Sequence, residues 1–439
     1  MDMKKIGENF ARLRKSNSYT QESLAEKFNI SPQAVSKWET GICLPETSVL
    51  IELADLYGTS VDEIIRPDKP KKIIAGFVER NLAIPDSKIL NWIPRISRWN
   101  APQGCDMWYS FPAMIATALV CVEAGEQNRT EITYPELNER FRDLIHITGM
   151  GYGFLWNTVS RHLIEELWHV GNIAEMVAQV MGYYGRDYLF LTPDNATMEE
   201  TRRIIMWSVA QGRPVVAEWL GGLPEFSIIA GYENNGETLT GYTYCEECAS
   251  RMNEHGMFVN PARWNELGDG GKCHVLVIGN KIRQTVSDRD TIGYALSMLN
   301  KNDAGNKDHF LSHELIAGDA TLRAWLDACD TDENTLQLFS NSDLFTGSLN
   351  INAVLPQECI FSFYKKLGER SVKRANDIII QIGISVTLLK NDNERVRKLV
   401  SEKSGSISEI AAECRKHIEF LIDRRENMRN WLNELIELV

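Results

Sequence analysis

Gln33, Ser36 and Lys37 share one face of the short stretch "SPQAVSKWETG", residues 31–41, and each carries a group suited to gripping nucleic acid. A carboxamide both donates and accepts, so Gln33 can pair at two points with an adenine edge, while the Lys37 ammonium can meet a base edge or a phosphate. Thiols offer a second chemistry. Cys105, a candidate nucleophile, precedes the apolar run "SFPAMIATALVCV", which begins at Ser110. "CEEC" at 245–248 is half of a tetrahedral zinc site, but no second such pair follows, and the adjacent Cys273 and His274 would point to opposite faces of a strand. Free thiols are expected there, with no metal and no cofactor.

The elements that hold the polar face come from the first 66 residues. Ile6, Phe10 and Leu13 recur at helical spacing, and Thr20 caps a second helix carrying Leu24, Ala25 and Phe28. Ser31 caps a third, Pro32 takes its first position, and Val35 and Trp38 point inward. "LPETSVLIELADLYGTSVDEII" adds two more. Between residues 4 and 38, seven basic side chains (Lys4, Lys5, Arg12, Arg14, Lys15, Lys27, Lys37) stand against Glu8, Glu22 and Glu26, so this segment is locally basic.

The stretch resembles, over its whole length, the helix-turn-helix domain of the Xre/Cro and phage-repressor family. It carries R-x-x-x-x-x-T-Q-x-x-L-A from Arg14, S-x-x-x-[VI]-S-x-W-E-x-G from Ser31 and P-x-x-x-x-L-x-x-L-A from Pro45. The resemblance implies that "QAVSKWE" is a recognition helix lying in the major groove of a double-stranded operator, with Ser31, Gln33, Ala34, Ser36 and Lys37 at the DNA. It also implies that Arg14 and Gln21 clamp phosphates, and that two copies bind two half-sites, so a homodimer is expected.

A chain of 439 residues exceeds what one hydrophobic core supports, so two or three domains are expected. Its 44% hydrophobic and 24% charged fractions are those of a folded globular protein. The net charge of −13 argues against a chain coated by nucleic acid or membrane surface, leaving local patches to make such contacts. Nine scattered cysteines in mainly apolar contexts fit reduced thiols. The amphipathic opening is unlike an apolar leader, and the longest apolar runs fall short of the roughly 18 residues needed to span a bilayer, so a cytoplasmic protein without membrane contact is expected.

"RPDKPKK", residues 66–72, reads as a hinge. Beyond it a helix apolar nearly all round, carrying Met114, Ile115, Ala118, Leu119 and Val122, precedes strands in "GRPVVAEWL", "EFSIIAGYENNGETLTGYTY" and "CHVLVIGNK", with Asn-Asn-Gly suited to a hairpin turn. This α+β plan resembles a papain-like fold, most nearly the group joining bacteriocin-processing peptidases to the butirosin-biosynthesis acyltransferase. The likeness rests on the Cys105-to-Gly125 segment as central helix, G-x-P-V-[VI]-A at 212–217 and S-I-I-A-G-Y-x-x-x-G at 227–236. It implies a Cys at the helix N-terminus facing a His on the neighbouring strand. Here the His position falls at Glu225 or Phe226, and Cys105 stands several residues early. A cleft kept without its chemistry is a natural sensor, lined by Trp108, Tyr109, Ser110, Trp156, Trp219 and Glu225, for a small-molecule or peptide ligand.

Farther on, Ile292, Ala295, Leu296 and Leu299 form one helical face, and "HELIAGDATLRAWLDAC" resembles a segment of the same acyltransferase group through Gly318, Ala320, Leu322, Trp325 and Cys329. The last segment spaces Ile407, Ile410, Cys414, Ile418, Leu421, Met428, Leu432 and Leu435 for either an intradomain helix or a dimer seam. The expected architecture is α+β: an N-terminal five-helix helix-turn-helix domain (1–66), a linker (67–73), a papain-like α+β sensor domain (74–282) and a helical C-terminal region (283–439). The expected function is a ligand-responsive, sequence-specific transcriptional regulator. The alternatives are a cysteine peptidase or acyltransferase with Cys105 as nucleophile, and a protein-interaction adaptor with an autoregulatory DNA-binding domain.

Overall fold

The computed structural model describes residues 3–16, 19–57, 61–65, 84–96, 109–152, 155–157, 162–163, 172–192, 195–218, 225–243, 257–261, 274–301, 315–317, 319–340, 355–368 and 373–439. The chain divides into two compact units: Met1–Leu82 with the short segment Asp194–Ala196, and Ala83–Pro193 with Thr197–Val439. The "RPDKPKK" hinge, "CEEC", His255, Cys273, Cys105, Trp108 and Trp219 lie outside the described residues.

In the first unit α1 (Met3–Ser16), α2 (Gln21–Lys27), α3 (Pro32–Glu39), α4 (Thr47–Leu56) and α5 (Val61–Ile65) surround one core. Ile6 and Phe10 of α1, Leu24 and Ala25 of α2, Val35 and Trp38 of α3, Leu53 of α4 and Ile64 of α5 meet there. Local signals set the boundaries. Thr20 and Ser23 form a reciprocal cap at the start of α2, and the Ser31 hydroxyl accepts the Ala34 N–H at 3.2 Å at the start of α3. A Cβ at Gly7 would collide with the Glu39 carbonyl, so glycine lets α1 cross the end of α3 closely.

The second unit is built on an antiparallel sheet. Its strands are β1 (Lys88–Ile89), β4 (Arg186–Leu191), β5 (Val215–Glu218), β6 (Phe226–Glu233), β7 (Thr238–Thr243), β8 (Phe258–Pro261) and β9 (Val275–Lys281), in the order β4-β9-β5-β6-β7-β8 with β1 also pairing β6. The β6–β7 hairpin turns through Asn234, Asn235 and Gly236 at φ 52°, 54° and 80°, the left-handed region that Asn and Gly tolerate. Helix α6 (Ser110–Glu126) packs on β5, β6 and β9 and is buried nearly all round, as its composition requires. The central helix therefore begins at Ser110, which corrects the expectation that it starts at Cys105: Tyr109 has extended backbone and terminates the helix on that side.

Helices α7 (Tyr134–Ile147), α8 (Ile173–Tyr184), α9 (Met198–Ala210) and α10 (Asp288–Leu299) accompany the sheet. A second, three-stranded sheet joins β10 (Leu315–Ala317), β2 (Leu155–Asn157) and β3 (His162–Leu163). Trp156 pairs there with Ile316 and Leu163, whereas Glu225 lies next to β6 of the larger sheet.

The chain ends in α11 (Asp319–Ala328), α12 (Asp332–Ser340), α13 (Leu355–Gly368), α14 (Lys373–Glu402) and α15 (Ile407–Ile436). Ile410, Cys414, Ile418, Leu421, Met428, Leu432 and Leu435 are buried as α15 packs on α10, α11, α12 and α14. The apolar face of α15 is thus used within its own unit. Arg425 fixes this docking: its buried guanidinium donates to Asp319 Oδ1 (2.8 Å), the Tyr152 carbonyl (2.7 Å) and the Leu299 carbonyl (2.9 Å). Burial lowers the Arg425 pKa and the Asp319 carboxylate opposes that fall.

His146 of α7 is fully buried, with Nδ1 2.6 Å from the Tyr152 hydroxyl and its ring 4.1 Å from that of Phe363. Desolvation drives its pKa down to about 3, against an ordinary value of about 6.5. The folded state refuses a proton that the unfolded chain accepts, so stability falls as pH drops through 6.5 toward 3. Between pH 6.5 and 5 this group alone costs about 2 kcal/mol. His146→Asn should remove that component: chemical unfolding at pH 7 and pH 5 will show a smaller acid-induced loss in the variant than in the wild type.

Candidate nucleic-acid interface

Helix α3 presents two faces with different tasks. Val35 and Trp38 are buried, and the Trp38 ring lies 6.3 Å from that of Phe10. Gln33 and Lys37 are exposed, Ser36 and Ala34 half-buried, and Ser31 exposed at the N-cap. The structure thus brings Ser31, Gln33, Ala34, Ser36 and Lys37 together on one short helix and its cap.

The orientation of α3 is set by Glu39, its last residue. The Glu39 carboxylate, with 9% of the side chain exposed, accepts Arg14 Nε at 2.5 Å, Arg14 Nη2 at 3.0 Å and Gln21 Nε2 at 2.7 Å. Arg14 Nη1 donates to the Tyr19 carbonyl at 2.7 Å, which ties in the loop between α1 and α2. One carboxylate therefore joins α1, α2 and α3. Its hydrogen bond and charge raise the Arg14 pKa. Arg14 is only 8% exposed, and three of its donors are engaged inside the unit. Gln21 is half-buried, with its amide turned to Glu39. Sequence reasoning gave Glu39 no individual role, although it stands as the fixed acidic position of the W-E-x-G part of the motif.

In the second unit, Tyr109 and Ser110 are buried at 5% and 3% exposure, and Glu225 is half-buried just ahead of β6. The Ser110 hydroxyl has no partner among the described residues. Phe226 on β6 packs against Phe111 in the first turn of α6, ring centroids 4.9 Å apart. Phe226 is opposite Glu218 in the β5–β6 register, and Glu218 N–H donates to the His274 carbonyl at 3.0 Å. The Glu218 carboxylate lies 2.5 Å from His274 Nδ1, and Phe190 stacks on the imidazole with an interplanar angle of 7°. Glu218 is buried, whereas the His274 side chain keeps 29% of its surface. Sequence reasoning singled out His274 but not its carboxylate partner.

Residues 10–64 match the helix-turn-helix family. The chain is 41% identical over 68 residues to the uncharacterized HTH-type transcriptional regulator y4dJ of Sinorhizobium fredii, covering 88% of that protein and 15% of this one. It is 33% identical over 67 residues to the HTH-type transcriptional regulator ImmR of Bacillus subtilis, covering 53% of that protein, and 33% identical over 63 residues to the uncharacterized HTH-type transcriptional regulator YazB of Bacillus subtilis, covering 91% of it. The chain belongs to the helix-turn-helix family. Among the described residues no helix is long and apolar enough to cross a membrane.

Removing the Glu39 carboxylate would leave a buried guanidinium unpaired. Glu39→Ala should therefore destabilise the first unit by about 3 kcal/mol, whereas the double variant Arg14→Met with Glu39→Met should cost less. Thermal unfolding followed by circular dichroism measures both; equal losses would deny Glu39 its place as the hub.

Proposed function

We propose that this protein is a sequence-specific transcriptional regulator that binds a double-stranded DNA operator as a homodimer through α3. The observation that carries the reading is the division of α3: its back is locked by Val35, Trp38 and the Glu39 hub, and its front offers Gln33 and Lys37 to a partner. A rigid helix with exposed carboxamide and ammonium groups is what direct readout of a major groove uses. Ser31, Ala34 and Ser36 complete the contact surface, small enough to let the helix approach. In this reading Arg14 acts by positioning α3, and Gln21 shares that task.

The second unit is read as a ligand-sensing, papain-like domain. Ser110 at the start of α6, and Glu225 or Phe226 at the start of β6, stand where the likeness calls for a thiol and an imidazole, which favours a cleft that binds without reacting. A ligand that binds one arrangement of the protein better than another would shift DNA affinity by that difference alone.

A second reading is favoured by one observation: His274 and Glu218 form an oriented imidazole–carboxylate pair on the strand row that carries Phe226. An imidazole held in this way can serve as a base toward a nearby thiol, and Cys105 would be the nucleophile of a peptidase or acyltransferase. The pH dependence of Cys105 alkylation, with Cys105→Ser as the blank, separates the readings. Under the leading reading the thiol titrates near the ordinary value of about 8.5; reactivity persisting well below it, and lost in His274→Ala, would replace the sensor with an enzyme.

For DNA binding, Gln33→Ala with Lys37→Ala should abolish preference for an operator selected from random sequence while leaving the circular dichroism spectrum unchanged. Lys37→Ala alone should lower the slope of log affinity against log salt by about one. Unchanged affinity for the selected operator in the double variant would overturn the role of α3.

A further inference from the structure

Helices α6 and α9 end in the same way and at the same cavity. A residue in the left-handed region stops each of them, Asn128 at φ 55° after α6 and Gly212 at φ 80° after α9. The next residue is in both cases an arginine whose amide turns back to the helix: Arg129 N–H donates to the Ala124 carbonyl at 2.8 Å, and Arg213 N–H to the Ser208 carbonyl at 3.0 Å. The Asn128 and Gly212 amides likewise close on the Gly125 and Val209 carbonyls. The chain thus satisfies its own helix ends there and fixes the stems of two arginines. Both arginines line a cavity of about 450 Å3, together with Trp92, Glu126, Thr130 and Gln211.

The guanidiniums around this cavity differ in how their charge is answered. Arg129 lies 3.1 Å from Glu136 and Arg140 2.8 Å from Glu123. Arg186, with 2% of its side chain exposed, grips the Glu126 carboxylate through bonds of 2.6 and 2.9 Å. Arg213 has no carboxylate of its own. Its side chain is 19% exposed, its Nη2 donates to the neutral Asn280 Oδ1 at 2.7 Å, and among the described residues the carboxylate within 4 Å of it is Glu126, at 3.9 Å and already committed to Arg186. Burial lowers the Arg213 pKa; Glu126 opposes the fall and Arg186 adds to it. The guanidinium stays charged even so. A charge drawn largely out of water beside a neutral acceptor is costly, and an oxyanion in the cavity would answer it in the paired geometry that guanidinium prefers. The half-buried Trp92 indole offers a wall for the rest of such a molecule, and Thr130 and Gln211 offer neutral hydrogen-bonding groups.

We propose that the cavity at the ends of α6 and α9 binds a small organic anion, its carboxylate or phosphate group on Arg213 and its body against Trp92. The 17 residues of α6 put this cavity about 25 Å from Ser110, so it is a different site from the cleft proposed above and does not depend on what that cleft does.

Isothermal titration calorimetry of the full chain with phenyl phosphate, benzoate, inorganic phosphate and benzyl alcohol tests the site. Saturable binding of phenyl phosphate or benzoate, at least about tenfold tighter than that of benzyl alcohol, is expected, and the tighter of the two names the charged group. Arg213→Gln, which keeps a donor for Asn280 and removes the charge, should weaken that binding on the order of tenfold or more. Gly125→Leu approaches the cavity without touching any charge: a Cβ there would meet no atom within 4 Å, so the fold is undisturbed and the leucine takes the space of the ligand, with a comparable loss. Failure of both organic anions to bind, equal binding of benzyl alcohol, or wild-type affinity in either variant overturns the site. Inorganic phosphate bound as tightly as phenyl phosphate overturns the organic class. Thermal unfolding without ligand adds a readout of the charge itself. Arg213→Gln should unfold no earlier than wild type, and a clear fall in its midpoint would mean that the guanidinium is answered within the protein, which also overturns the site.

Discussion

The Glu39 carboxylate is the constraint on which the placement of α3 depends. A helix of eight residues has too few internal hydrogen bonds to be stable alone, and α3 is held by what it is packed and bonded to. Val35 and Trp38 fix its depth but an apolar contact is tolerant of rotation. The three hydrogen bonds from Arg14 and Gln21 to Glu39 are directional, and they fix which way Gln33 and Lys37 face. The close crossing at Gly7 serves the same end, since a side chain there would push α1 away from the end of α3.

The second unit uses the same device on a larger scale. Arg425 joins α15 to Asp319, Tyr152 and Leu299, which are 106, 273 and 126 residues away in sequence. Arg186 and Arg140 do likewise for the end of α6, through bidentate bonds to Glu126 and Glu123. Buried cations of this kind add little net stability once their desolvation is counted, but a wrongly docked helix would leave them unpaired. They act as a penalty on alternatives to the native packing. Apolar helices such as α6, which could seat themselves in several rotations, gain most from such a device.

What was legible in the sequence was local. Thr20 and Ser31 as caps, Pro32 at the first turn, and the Asn-Asn-Gly hairpin each act within three or four residues, and their physics is complete in the string itself. Glu39 was not legible as a hub, because Arg14 lies 25 residues away and only the crossing of α1 over α3 makes them neighbours. Glu218 was missed for the same reason, with 56 residues separating it from His274. The start of α6 was placed early because Cys105 invites a chemical role, while the backbone turns helical only at Ser110. The apolar seam of α15, wider than a strict two-position coiled coil, already leans toward an intramolecular face, and α10, α11, α12 and α14 packed around it bury that face.

The two candidate chemistries of the second unit share one end of one sheet. Phe226 and Glu218 are register partners, and the Glu218 amide reaches the carbonyl of His274, so the phenyl pair and the imidazole–carboxylate pair are adjacent. The phenyl pair makes that end apolar; the buried carboxylate and the partly exposed imidazole make it polar. Phe111 and Phe226 are 1% and 2% exposed, so the two rings fill the space between α6 and β6, whereas the His274 imidazole keeps part of its surface. The same arrangement becomes catalytic only when a nucleophile stands within reach of the imidazole. Between the two readings proposed for this unit, the distinction turns on whether a thiol stands within reach of the imidazole.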